Sequence, residues 1–349
     1  MKKNLLHINE IRFLIIHIIL INHWNINLFF VNVPYNHNIF NFGFDLTSPC
    51  LAIISGYLFF YKTKEHLNYS KKIHNRLHSL VIPYVIWSVS FFFIYELMKI
   101  TFQSVFHETI WYMPRQPFTF MSVLKDLMNP PLGNFWYLQN LVFIIPFNFI
   151  IYYLLKNKYV FIAVLLAVIA CYSFERIYPF NHINLFFQPR FLPYYLLGCF
   201  FGYNEIALPT IPIKKWTAWV LVPLLTAIAV CTSPWQDNVF PFLFIKLFIA
   251  VFFLITVFNL LDSNQNGIVF NYLKKYQAYS FFLFAINQFL FTLVQRISFK
   301  LGAAQYLKYD AFMWSFLIAS AIVVVVITFL IAGFLKNRFG KFFYVITGR

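Results

Sequence analysis

Ten stretches of the chain are almost free of charge and rich in Phe, Ile, Leu and Val: residues 11–30, 44–61, 80–100, 135–155, 159–175, 191–204, 217–232, 240–261, 278–296 and 312–335. A hydrocarbon core about 30 Å thick takes about 20 apolar helical residues to cross. The spacing therefore predicts an all-α fold, a polytopic transmembrane helix bundle of about ten spans. Composition leaves little alternative, because only 11% of residues are charged while 61% are hydrophobic and 22% aromatic, against about 25% charged in a soluble domain. The 48 Phe and 22 Tyr are too many and too widely spread for one aqueous core, so lipid must cover much of that surface. Pro179, Pro189, Pro193 and Pro209 interrupt the pattern between the fifth and seventh stretches.

The formal charge of +16 does not point to nucleic acid, because the cations stand between the apolar stretches rather than in one patch. With the N-terminus inside, 17 Lys and Arg fall on the cytoplasmic side and 8 on the other, with Arg12 and Lys246 inside spans. That bias predicts both termini in the cytoplasm. Cys50, Cys171, Cys199 and Cys231 lie in or beside apolar stretches with no C-x-x-C pair, which suggests buried thiols and no metal site. The first stretch contains Arg12, His17, Asn22 and His23 with no small-residue cleavage site after it, the mark of a retained helix. One integral-membrane domain, residues 1–349, accounts for the chain, with no appended soluble domain.

Ionisable groups at membrane depth are costly and mark function by default. Arg12 and His23 are 11 positions apart, about 1,100° at about 100° per residue, so they share a face of the first helix about 16 Å apart along its axis. A cation near one boundary and an imidazole deeper on the same stripe suit an anionic donor and a proton transfer. A snorkelling Arg and an interfacial His beside Trp24 is the structural alternative. His17 points elsewhere and reads as structural. In the second stretch, Asp45 stands where it can orient a histidine such as His23. Ser55, Gly56 and Tyr57 read either as site residues or as a close helix contact. The basic loop with Lys71, Lys72 and Arg76 suits phosphate groups, with anionic lipid or topology determination as the alternatives. Arg190 and Lys246 are further candidates for lining a polar cavity, pairing or snorkelling being the alternative for Lys246. The G-x-S-x-G, H-E-x-x-H, P-loop and G-x-G-x-x-G motifs are all absent.

Several segments, in order, resemble the acyltransferase 3 family of membrane-bound O-acyltransferases. They are Glu10-Ile11-Arg12 with His23 eleven residues on, Ile54-Ser55-Gly56-Tyr57-Leu58, the loop to Arg76 with Ile82-Pro83-Tyr84-Val85-Ile86-Trp87, and Phe135-Trp136-Tyr137-Leu138. Tyr194-Tyr195-Leu196-Leu197-Gly198, Tyr279-Ser280-Phe281-Phe282-Leu283-Phe284 and the ending Thr347-Gly348-Arg349 also fit. The resemblance implies that His23 is the catalytic histidine, Arg12 its partner, and the inner basic surface the approach for acyl-CoA, most simply acetyl-CoA. It also implies a polysaccharide or glycolipid acceptor at a bacterial cytoplasmic membrane. Three positions depart from the family pattern: Asn287 stands where a His is frequent, Gln139 and Asn140 where an Arg-Asp pair is, and the Arg76 loop lacks a clean Arg-x-x-Arg. A transporter or flippase for a glycolipid is the rival reading, against which no repeated halves are visible.

Overall fold

The computed structural model describes residues 7–28, 38–64, 68–106, 135–174, 191–206, 213–232, 241–306 and 309–348, with the isolated positions 119, 121 and 123. Among these the chain is helical and contains no strand. In chain order the helices are α1 (Ile8–Leu28), α2 (Asn38–Phe60), α3 (Tyr69–Arg76), α4 (Ile82–Phe106), α5 (Trp136–Ile144), α6 (Asn148–Leu155), α7 (Lys158–Phe174), α8 (Leu192–Tyr203), α9 (Lys215–Thr232), α10 (Pro241–Ser263), α11 (Ile268–Tyr276), α12 (Ser280–Lys300), α13 (Asp310–Arg338) and α14 (Gly340–Thr347). Among the described residues each of the ten apolar stretches is largely helical, as expected of backbone that has no water to satisfy its N–H and C=O groups.

Five helical runs are long and apolar enough to cross a membrane: 69–94, 136–155, 245–263, 268–300 and 311–338. Shorter apolar helices cover 46–60, 158–170 and 216–228. The expectation of ten full-length crossings is thus matched only in part among the described residues. The 12-residue α8, at about 1.5 Å per residue, is about 18 Å long and does not by itself traverse a core about 30 Å thick.

Three of the long runs contain local changes of helical winding that the apolar pattern does not announce, one of them the 3₁₀ turn Gln277–Tyr279 between α11 and α12. Pro146 lacks an amide hydrogen, and the chain passes through a 3₁₀ turn, Ile145–Phe147, between α5 and α6. Between α3 and α4 lies a π-helical turn, Leu77–Val81, in which the Ile82 amide donates to the Leu77 carbonyl five residues back.

The bundle is organised around α2, which packs along α8 and also against α1, α9 and α10. The α2–α8 seam is built from glycine. A β-carbon on Gly198 would meet the Ile53 backbone, one on Gly202 the Tyr57 backbone, and one on Gly56 the backbone of Tyr195 and Cys199. Ile53 faces Gly198 and Tyr57 faces Gly202, so the two helices run parallel. Gly198 and Gly202 have the G-x-x-x-G spacing that lets membrane helices approach backbone to backbone. Gly56 therefore serves helix contact, one of the two roles open to it from sequence. Aromatic rings fill the space between α4, α5 and α12: Trp87 stacks on Phe91 at 5.4 Å, Phe91 meets Phe135 at 5.9 Å, and Phe135 meets Phe284 edge-on at 6.3 Å.

Candidate active site

One end of the bundle, where α1 begins and α2 ends, gathers residues from six helices. Arg12 sits little more than one turn into α1, half-buried between the fully buried Ile11 and Phe13. On α2, one turn before its end, the Ser55 hydroxyl is hydrogen-bonded to the Tyr137 hydroxyl at 2.8 Å. Tyr137 lies in the first turn of α5 and is buried between Phe191 and Phe284, whose rings stand 5.7 and 6.4 Å away. Arg76 closes α3. The Arg12 and Arg76 guanidinium groups both act electrostatically on the Tyr137 hydroxyl, and Arg76 acts also on that of Tyr195 on α8. Tyr195 is buried and donates to Asn148 Oδ1 at 2.9 Å, while the Asn148 amide nitrogen, fully buried at the start of α6, has no hydrogen-bond partner.

The position of Arg76 follows from how α3 meets the end of α2. Lys72 and Arg76 are one helical turn apart and share a face. The Lys72 ammonium donates to the Phe59 carbonyl, one of the last in α2, and lies 5.5 Å from the centre of the Phe59 ring. The Arg76 guanidinium covers the same ring at 5.8 Å. Cations at a helix C-terminus satisfy its unpaired carbonyls and complement its dipole. Lys72 is therefore committed to capping α2, whereas Lys71 is exposed. Of the three cations expected to meet phosphate, Arg76 is the one whose charge reaches the buried Tyr137 and Tyr195 hydroxyls.

The other residues singled out from sequence are placed as follows. Glu10 is buried and accepts a hydrogen bond from Gln277 Nε2 at 3.2 Å, tying α1 to the turn before α12. Tyr57 is buried and stacks on Tyr61 at 5.4 Å. Trp136 is half-buried at the first residue of α5, edge-on to Tyr137 at 6.2 Å. Lys246 is half-buried on α10. His17 is structural, with Nδ1 2.8 Å from the Phe13 carbonyl oxygen and Nε2 3.1 Å from the Tyr272 hydroxyl. His23 lies on α1 and Asp45 on α2, but their side chains, and Arg190 altogether, are outside the described residues. Gln139, Asn140 and Asn287, the positions that depart from the family pattern, are all buried inside the bundle.

Chemically, buried hydroxyls within the electrostatic reach of two guanidinium groups suit an anionic or strongly polarised oxygen, since charge-assisted hydrogen bonds strengthen where water is excluded. Tyr137, Tyr195 and Asn148 were not candidates from sequence. Two of them stand in segments that carry the family resemblance, yet nothing in a chain with 22 Tyr distinguishes those whose hydroxyls face a cation.

A family model described as an acyltransferase domain, Acyl_transf_3, matches residues 7–333. The chain belongs to the acyltransferase 3 family. Its match takes in every helix that supplies the cationic site, including α1 with Arg12 and α3 with Arg76. Among curated proteins, the chain is similar to the succinoglycan biosynthesis protein ExoH of Rhizobium meliloti, with 34% identity over 80 residues, 18% of this chain and 22% of the relative. The matched stretch thus spans about a fifth of that relative's length. No solved structure matches the chain.

Proposed function

We propose that this acyltransferase moves an acyl group, most simply acetyl from acetyl-CoA, to a hydroxyl of a cell-surface polysaccharide or its lipid-linked precursor, such as an O-antigen or exopolysaccharide. It works in the bacterial cytoplasmic membrane as a multi-pass bundle of about ten spans with both termini in the cytoplasm. The observation that carries the reading is the Ser55–Tyr137 hydroxyl pair, hydrogen-bonded at 2.8 Å within the electrostatic reach of Arg12 and Arg76, in a chain of this family. The name of the relative, a protein of glycan biosynthesis, supports the acceptor class.

In the proposed reaction the acceptor hydroxyl oxygen attacks the thioester carbonyl carbon, the C–S bond breaks, and an oxygen ester and free CoA result. His23 takes the hydroxyl proton as general base and the departing thiolate is protonated. Arg76 holds a phosphate of the donor, and Arg12 with Tyr137 holds the donor's anionic head near the inner boundary. The span of about 16 Å from Arg12 to His23 suits the extended pantetheine arm running along α1 from the cationic end towards the imidazole.

The test is release of CoA thiol together with appearance of labelled acetyl ester on polysaccharide, in membranes with and without the protein. Protein-dependent transfer is expected. No transfer with several acyl donors and acceptors, together with movement of a labelled glycolipid across the bilayer, returns the transporter reading. Tyr137→Phe probes the cationic site. It removes one hydroxyl without changing the ring packing, and a hydrogen bond to a charged group is worth about 1.5–3 kcal/mol. The expected result is a fall in kcat/KM of about 10- to 100-fold with unchanged protein level, read in the same thiol-release assay.

A further inference from the structure

The π-helical turn Leu77–Val81 follows Arg76 directly, so the winding of that turn helps set where the guanidinium points. π turns are wide and are found mostly as single turns at functional sites. One that aims a side chain within a fraction of an ångström needs support from elsewhere in the fold.

That support comes from the far end of the chain. The Trp87 indole, two turns into α4, donates through Nε1 to the Ile346 carbonyl at 2.9 Å, a buried bond joining α4 to the last turn of α14. One residue beyond α14, Gly348 takes the left-handed conformation with φ +70°. It presses its α-carbon onto the π turn itself, so that a β-carbon there would stand 2.7 Å from the Ser79 carbonyl carbon. The obstacle is backbone and has no rotamer by which to move aside. α14 is in turn anchored by Phe343, fully buried against Phe282 at 5.9 Å and Tyr279 at 6.1 Å.

The geometry points to α14 as a positioning element: Gly348 and Trp87 hold the π turn and through it place the Arg76 guanidinium over the Phe59 ring, one helical turn along α2 from Ser55. Neither residue touches the donor. This role rests on the reading of the Arg12–Arg76 site as an acyl-CoA site. It assigns to the C-terminal segment control of donor affinity rather than of the chemical step.

The experiment uses full-length protein in detergent, with CoA binding and steady-state transfer from acetyl-CoA measured for wild type, Gly348→Ala, Arg76→Gln and the double variant. Gly348→Ala is expected to raise the acetyl-CoA KM and the CoA dissociation constant about 10-fold, as misplacement of a positioned group does, with kcat within about twofold. The double variant is expected to bind no more weakly than Arg76→Gln alone, because two residues acting through one contact are not additive. An unchanged KM in Gly348→Ala, or losses that add in the double variant, overturns the inference and leaves the acyl-CoA reading standing. Wild type that binds no CoA overturns both. Where Gly348→Ala fails to accumulate, Trp87→Phe replaces it in the same cycle, since it removes only the indole N–H; an unchanged KM there likewise overturns the inference.

Discussion

Replacing His23 by Ala is expected to lower transfer to polysaccharide by about 10²- to 10⁴-fold, the usual contribution of a positioned general base, without changing the amount of protein in the membrane. The expectation rests on covalent geometry. His23 lies on the same face of α1 as Arg12, about 16 Å further along the axis, and Arg12 stands at the cationic end with Arg76 and Tyr137. Removing an imidazole from the proton-transfer step slows chemistry while donor binding at the cationic end persists. The variant should therefore bind CoA with unchanged affinity while thiol release falls. Full activity in His23→Ala would remove this residue from the mechanism and move the search for the base to other groups on α1 and its neighbours.

Gly198→Ala is expected to cost more stability than any other single methyl addition at a described glycine of the α2–α8 seam. The β-carbon would be driven into the Ile53 backbone at three atoms. Overpacking a well-packed interior costs about 1–3 kcal/mol when side chains can shift, and here the atoms met are main chain. The helices must separate, and with them the seam that sets Gly56 on α2 against Tyr195 on α8. Gly333 is the control. It is also a glycine within a long helix, α13, but a β-carbon there meets nothing within 4 Å. Gly333→Ala should be neutral or stabilising by about 0.5–1 kcal/mol, because alanine loses less backbone entropy in a helix. Thermal unfolding in detergent reads both changes. A Gly198→Ala protein as stable as Gly333→Ala would show that the α2–α8 contact is looser than the backbone distances require.

The helical segments were legible because their cause is local. Where lipid is the solvent, a run of apolar residues has to close its own hydrogen bonds, and the ten runs read from sequence coincide with helices to within a few residues at most ends. The largest differences occur where local pattern does not decide. The stretch expected to begin at residue 80 starts as helix at Tyr69, because Lys72 and Arg76 find partners at the end of α2, and the π turn within it has no signature in hydropathy. The site was legible in the same measure. Arg12 and Arg76 were visible as cations in an apolar chain, and both bear on one hydroxyl. Lys72 looked the same in sequence but serves to cap a helix, and Tyr137, Tyr195 and Asn148 carry no formal charge to single them out.

The sequence by itself determined the solvent, the helical class and the family, since each depends on residue type and spacing along one segment. Only the tertiary structure decided which cations bear on which hydroxyl, that Gly56, Gly198 and Gly202 form one parallel seam, and that Gly348 packs on Ser79 in the turn after Arg76. Those relations join residues about 60 to 270 positions apart, and packing at van der Waals distance, which brings such residues together, leaves no periodic trace along the chain.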